Sequence, residues 1–140
     1  VIYIHRSIPF HELAALYAVS DACLLASTRD GMNLVAFEYV ACQAERQGSL
    51  LISEFAGAAT IMKPASITFN PANLSEIADA IHEGLTMNSE KRKARYSKLK
   101  EIVEHNTRSA FFNFARTFAN DSVCSRRWGE AFAGRLSQNA

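Results

Sequence analysis

The stretch Ala22-Cys-Leu-Leu-Ala-Ser-Thr-Arg-Asp-Gly-Met-Asn-Leu-Val-Ala-Phe-Glu38 decides how the chain is read. It opens with a short apolar run, passes through seven loop residues (27–33), and continues into a helical pattern. An apolar run of this length reads as a buried strand, and the three-and-four spacing that follows reads as a helix. A strand feeding a helix through a polar loop is the repeating unit of an α/β sheet. In open sheets of that kind, ligands bind at the carboxyl ends of the strands.

Outward from that stretch the alternation continues, predicting an α/β fold: a Rossmann-like, mostly parallel sheet flanked by helices. Residues 1–5, rich in β-branched and aromatic types, predict a first strand. Phe10, Leu13, Ala14, Leu16 and Tyr17 mark a helix with Pro9 in its first turn. Residues 22–26 are expected as a fully buried strand, and residues 34–46 as a helix ended by Gly48. Residues 50–53 and 66–69 predict two more strands, with a small-residue turn or short helix over 55–59. Asn70-Pro71 closes the last strand. Asn73 with Glu76 resembles a capping box ahead of a helical stripe at Leu74, Ile77, Ala78, Ile81 and Leu85. Beyond Ser89 helices are expected over 90–106, 108–119 and 126–136.

Bulk properties remove several function classes. A chain of 140 residues fits one domain. Net charge is +1, so no global field points to nucleic acid or a membrane surface. No apolar run approaches the roughly 20 residues that span a bilayer. Cys23, Cys42 and Cys124 are odd in number and widely spaced, which argues against a disulfide framework or zinc. Cys23 and Cys42 read as small buried hydrophobes, and the expected compartment is the cytoplasm. His5, His11, His82 and His105 lack ligand spacing. Ser27 and Ser53 lack a nucleophile-elbow context. The basic run in residues 90–100 reads as the solvated face of a helix rather than a nucleic-acid patch. Phe10, Phe37, Phe55, Phe69 and Phe111 read as core. The chain begins at Val1 without an initiator Met, and it is expected to be one half of a longer enzyme.

The loop itself admits two readings. In one, Gly31 lets the backbone turn sharply or approach a ligand, and the helix starting near Leu34 offers free N–H groups to a diphosphate. Asp30 and Glu38 would then grip hydroxyls at opposite ends of that ligand. In the other, Asp before Gly is simply turn chemistry, and an acid in a helix's first turns answers the dipole. The residues taken alone leave both standing.

The string Arg29-Asp-Gly-Met-Asn-Leu-Val35 with Glu38 resembles the donor-site signature of trehalose-6-phosphate synthases. The likeness continues through Tyr39-Val-Ala-Cys-Gln43, Ser53-Glu-Phe-Ala-Gly-Ala-Ala59, His5-Arg-Ser-Ile-Pro9 and Asn70-Pro71. The resemblance implies the C-terminal half of a GT-B-type retaining glycosyltransferase, built of two Rossmann-like domains facing each other across a cleft. Residues 1–118 would be the nucleotide-sugar-binding domain and 119–140 a helical tail. The implied activity is transfer of glucose from UDP-glucose to glucose 6-phosphate, without a metal or other cofactor. Asp30 would bind hydroxyls of the transferred glucose, and Gly31, Met32 and Asn33 would line its pocket. Leu34 and Val35 would offer backbone N–H groups to the diphosphate, and Glu38 would hold the ribose hydroxyls. Ile8 would contact uracil through its backbone. The basic residues expected to carry catalysis lie upstream of the matched region, as does most of the acceptor site, so no catalytic residue is assigned. Implied partners are the sugar nucleotide, the N-terminal domain, and a homo-oligomer or a synthase/phosphatase complex. Alternatively, the parent is a non-catalytic regulatory homologue within such a complex. Ala72-Asn73 and Phe111-Phe112 depart from the aromatic residue and Trp usual in the family.

Overall fold

A computed structural model describes residues 1–119, with side chains through Asn106. Residues 1–103 form one compact unit, and residues 104–140 are a second. In the second, residues 104–119 are helical.

The first unit is built on three parallel strands among the described residues. They are β1 (Ala22–Leu25), β2 (Ser49–Ser53) and β3 (Ile67–Phe69), in the order β1-β2-β3. Cys23 pairs with Leu50 and Leu51 with Ile67. The helices are α1 (Phe10–Val19), α2 (Leu34–Cys42), α3 (Gly57–Met62), α4 (Leu74–Thr86) and α5 (Ser89–Ala119). Parallel strands need crossovers, which α2 supplies between β1 and β2 and α3 between β2 and β3.

β2 explains why the middle of the sequence is so apolar. All five of its residues are buried, because a central parallel strand is covered on both faces. Its side chains alternate between two cores, as a two-residue period requires. Leu50 and Ile52 join α2, α3, Tyr96 and Leu99 on one face. Leu51 joins Ile67, Phe69 and Ala80 on the other. On that second face α4 comes so close that a Cβ on Gly84 would stand 2.9 Å from Leu51 Cδ1.

Several expectations are corrected. Residues 1–5 are not a strand: they lie in no ladder, and Val1, Ile2, Tyr3 and Ile4 are exposed. Propensity for extended backbone makes a strand only where a neighbour takes its N–H and C=O groups, and none of the described strands does. β1 is not fully buried either, since it is the sheet's edge and Leu24 is exposed. α2 stops at Cys42 rather than Arg46. The left-handed residue after it is Gln47, at φ 56°, and not Gly48. Gln43 ends the helix: it is fully buried, its Nε2 donates to the carbonyls of Tyr17 and Ser20, and its Oε1 accepts from Gly48 N at 2.7 Å. Gly48 is required for a different reason: a Cβ there would meet the Tyr39 hydroxyl at 2.2 Å and Asp21 O at 2.7 Å.

The helices expected over 90–106 and 108–119 are one helix, α5. The helix expected over 126–136, together with Phe111, Phe112 and Cys124, lies outside the residues whose side chains are described. Phe69 is core as expected, but Phe10 and Phe55 are exposed. Cys23 and Cys42 are free thiols and only half-buried. Asn73 does cap α4, accepting from Ser75 N and Glu76 N, while Glu76 reaches back to Asn73 Nδ2 at 2.8 Å. The basic start of α5 is tied to α4, where Glu83 takes Lys91 at 3.3 Å and Arg95 at 3.1 Å.

Candidate functional site

The loop between β1 and α2 leaves the carboxyl edge of the sheet and is held there by the segment after β2. Asp30 and Ala56 form an isolated parallel bridge. Its bonds are Asp30 N to Phe55 O at 3.4 Å and Gly57 N to Asp30 O at 3.0 Å. This apposition depends on Gly57. A Cβ at that position would fall 1.7 Å from Gly31 O and 2.8 Å from Gly31 C, distances no side chain tolerates. The first residue of α3 therefore lies flat against the loop.

Gly31 presents the opposite case. No glycine of the described chain has positive φ, so Gly31 bends the loop without a left-handed backbone. Its Cβ direction is open, with nothing within 4 Å. The loop is thus fastened on one side by Gly57 and bare on the other.

Asn33 organises the end of the loop. It is the N-cap of α2, and its Oδ1 accepts from Ala36 N at 3.2 Å. An N-cap side chain satisfies one of the orphan donors of a helix start. Its Nδ2 donates to Asp30 Oδ2 at 2.8 Å, which turns the Asp30 carboxylate toward the helix start. No described residue accepts from Leu34 N or Val35 N. Two N–H donors at the positive end of α2 and one carboxylate oxygen, Asp30 Oδ1, are therefore left for something else.

Glu38 lies one turn into α2 and is half-buried. Tyr17, on α1, is close enough to feel its charge. Burial pushes the Tyr17 phenol above its ordinary value, and the charge of Glu38 pushes it further, with smaller contributions from Cys23 and Cys42. Edge-on contact with Tyr39, at 6.2 Å between ring centroids, fixes the Tyr17 ring. Burial also raises the Cys23 thiol to about 11. Tyr39, buried with its hydroxyl unpaired among the described residues, is likewise shifted upward.

The structure thus gathers Asp30, Gly31, Asn33, Leu34 and Val35 at one helix start, with Glu38 a turn beyond. Met32 and Leu34 have exposed side chains at the rim. Ile8 is half-buried in the irregular segment before α1, and no described hydrogen bond joins it to the loop. His5 is exposed and stacks on Tyr3 at 5.8 Å. Among the described residues no group of three His, Cys, Asp or Glu side chains is placed to hold a metal, and no helix is long and apolar enough to cross a membrane. Sequence reasoning missed Gly57, Tyr17 and Gln43. Gly57 was visible as a glycine in the small-residue run 56–59. Tyr17 looked like an ordinary member of a helical stripe, and Gln43 lay inside the helix expected over 34–46.

An open parallel sheet with helices on both faces and a capped loop at its carboxyl edge defines a Rossmann-like α/β domain. The family follows from the match of residues 1–120 to glycosyltransferase family 20, and the chain belongs to that family. It is 53% identical over 96% of its length to the 56 kDa subunit of the UDP-forming alpha,alpha-trehalose-phosphate synthase of Kluyveromyces lactis. It spans 24% of that relative's length. A solved E. coli trehalose-6-phosphate structure bound with UDP-2-fluoro glucose is 34% identical, with a TM-score of 0.70 over 74% of this chain and 23% of that one. The N-terminal domain of a Candida albicans trehalose-6-phosphate phosphatase is 35% identical, with a TM-score of 0.69 over 71% of this chain and 21% of that one.

Proposed function

We propose that this chain is the donor-binding part of a retaining glucosyltransferase that makes trehalose 6-phosphate from UDP-glucose and glucose 6-phosphate. The observation that carries the reading is the helix start at Asn33. Two unclaimed N–H donors and an oriented Asp30 carboxylate stand there beside an open Gly31. The family match and the E. coli likeness supply the ligand. Leu34 N and Val35 N would receive the diphosphate, since a helix start favours anions. Asp30, with Gly31, Met32 and Asn33 around it, would hold the glucose. Glu38 would hold the ribose hydroxyls, and Ile8 would meet the uracil.

In the transfer, the bond from the anomeric carbon to the phosphate oxygen breaks and a bond to the acceptor oxygen forms on the same face. The acceptor's proton passes to the departing phosphate. The protein's share is orientation and stabilisation of the leaving diphosphate. No metal is needed in this scheme. The 140 residues are assigned the donor side alone, acting with an N-terminal domain in the cytoplasm, without nucleic acid or membrane.

A second reading places the parent as a non-catalytic homologue within a synthase/phosphatase complex or homo-oligomer. It is favoured by the likeness to the phosphatase N-terminal domain. Equilibrium dialysis against radiolabelled UDP-glucose separates the two. Saturable retention displaced by UDP, with no trehalose 6-phosphate formed when glucose 6-phosphate is added, is expected of a donor half. No retention by the folded chain favours the second reading. Product formation by the chain alone contradicts its assignment to the donor side only.

A further inference from the structure

The sheet has a second edge, away from the loop, where its parallel strands begin. A cavity of about 10 Å³ lies there, lined by Gly48 and Ser49 before and at the start of β2, by Ile67 at the start of β3, and by Arg92, Arg95 and Leu99 of α5. Spacings of three and four residues put those last three on one face of the helix. Arg95 Nη2 holds Glu83 at 3.1 Å, but Nη1 of the same guanidinium is buried without a hydrogen-bond partner among the described residues. A guanidinium cannot escape burial by shedding its proton, so only an acceptor relieves it. The neighbours have none to spare. The Glu83 carboxylate is already shared with Lys91 at 3.3 Å. Asp21, whose carbonyl takes Ser49 N at this edge, has its carboxylate on Arg46 at 2.6 Å. Among the described residues no carboxylate pairs with Arg92. A second buried donor without a partner, the Tyr39 hydroxyl, stands against Gly48, close enough to exclude a Cβ there. Both buried side-chain donors left unpaired among the described residues thus lie at this one edge.

We propose that this cavity binds a phosphoryl group, carried by free phosphate or by a small phosphate monoester, at a site separate from the donor loop. Its volume suits about one water-sized atom. One phosphoryl oxygen enters and accepts from Arg95 Nη1, while the others stay at the mouth, where the half-exposed Arg92 supplies further donors. Such charge-assisted bonds are the stronger kind. A water in the same place would bring two donors of its own to walls whose unpaired side chains are already donors; an oxyanion brings acceptors alone. The cavity lies at the opposite edge from Asp30 and Leu34, so the inference holds whether or not the donor reading does.

The test titrates the full chain with inorganic phosphate, and separately with glycerol 3-phosphate, at fixed ionic strength, following backbone amides by NMR. Saturable shifts are expected at Gly48, Ser49, Ile67, Arg92 and Arg95, with a dissociation constant in the millimolar range. Tighter binding of the monoester would support the site with a phosphorylated metabolite as its occupant, and tighter binding of phosphate would support it with the free ion. Arg92→Gln should bind about 10-fold more weakly, the low end of what a hydrogen bond to a charged group is worth. Arg95→Lys keeps a cation for Glu83 but loses the guanidinium fork, and should lose saturation; if it does not fold, Arg92→Gln decides alone. Shifts that grow linearly, or that sodium chloride reproduces, would mean an adventitious ion only and overturn the proposal. So would saturable shifts confined to residues 31–38, since the donor loop would then be the only phosphate site. Unchanged affinity in the folded variants would overturn it as well.

Discussion

Replacing Gly57 with alanine tests the way the loop is fastened, and the outcome can be worked from distances. The new Cβ would stand 1.7 Å from Gly31 O and 2.8 Å from Gly31 C, and both obstacles are backbone, so no rotamer relieves the overlap. The loop must move off α3. The least costly way gives up Gly57 N to Asp30 O, at 3.0 Å, and Asp30 N to Phe55 O, at 3.4 Å. Two such bonds are worth about 1–3 kcal/mol together, which is also the usual range for overpacking. Urea unfolding followed by circular dichroism should therefore show Gly57→Ala destabilised by about 1–3 kcal/mol. Gly31→Ala is the control, since its Cβ meets nothing within 4 Å and its φ is not positive. It should change stability by under about 0.5 kcal/mol, yet obstruct the side of the loop left for the donor. A Gly57→Ala variant as stable as the unaltered chain would refute the close approach of α3 to the loop. Equal loss in both would refute the open space above Gly31.

Other expectations follow from single contacts. Asn33→Ala removes the cap on Ala36 N and the bond to Asp30, and should cost about 0.5–2 kcal/mol in urea unfolding as well as weaken donor binding. Gln43→Ala strips partners from Tyr17 O, Ser20 O and Gly48 N; with each orphaned buried group costing about 1–3 kcal/mol, it should cost more in urea unfolding than Asn33→Ala at the other end of α2. Cys23, with its thiol pushed up to about 11, should react with a disulfide reagent at pH 8 about two orders of magnitude more slowly than an unperturbed thiol. The linked stability has a definite sign. The folded chain holds Cys23 neutral while the unfolded chain ionises it near its ordinary 9.0, so stability should fall as pH rises from about 9 to about 11. Thermal melts over that range would check it.

Much of the architecture was legible in the sequence because its cause is local. The apolar run at β2, the cap at Asn73 and the loop before α2 each announce themselves within a few residues. What escaped was set by neighbours distant in sequence. Residues 1–5 carry every local mark of a strand, yet a strand exists only with a ladder partner. Leu24 looked core because its run is apolar, but its exposure depends on β1 being an edge. The end of α2 is decided by Gln43 bonding to carbonyls more than twenty residues earlier. The loop shows the same division. Asp30, Gly31 and Glu38 stand out by type and order, whereas Gly57 and Tyr17 matter through contacts that only the fold creates.

The most direct test of the account is a UDP titration of the full chain followed by backbone amide NMR, repeated on Glu38→Ala. The account predicts saturable shifts centred on Gly31, Leu34 and Val35, extending to Glu38, and their loss in the variant. A well-dispersed spectrum in which those amides do not move, or move equally in Glu38→Ala, would contradict the claim that this loop is a donor site.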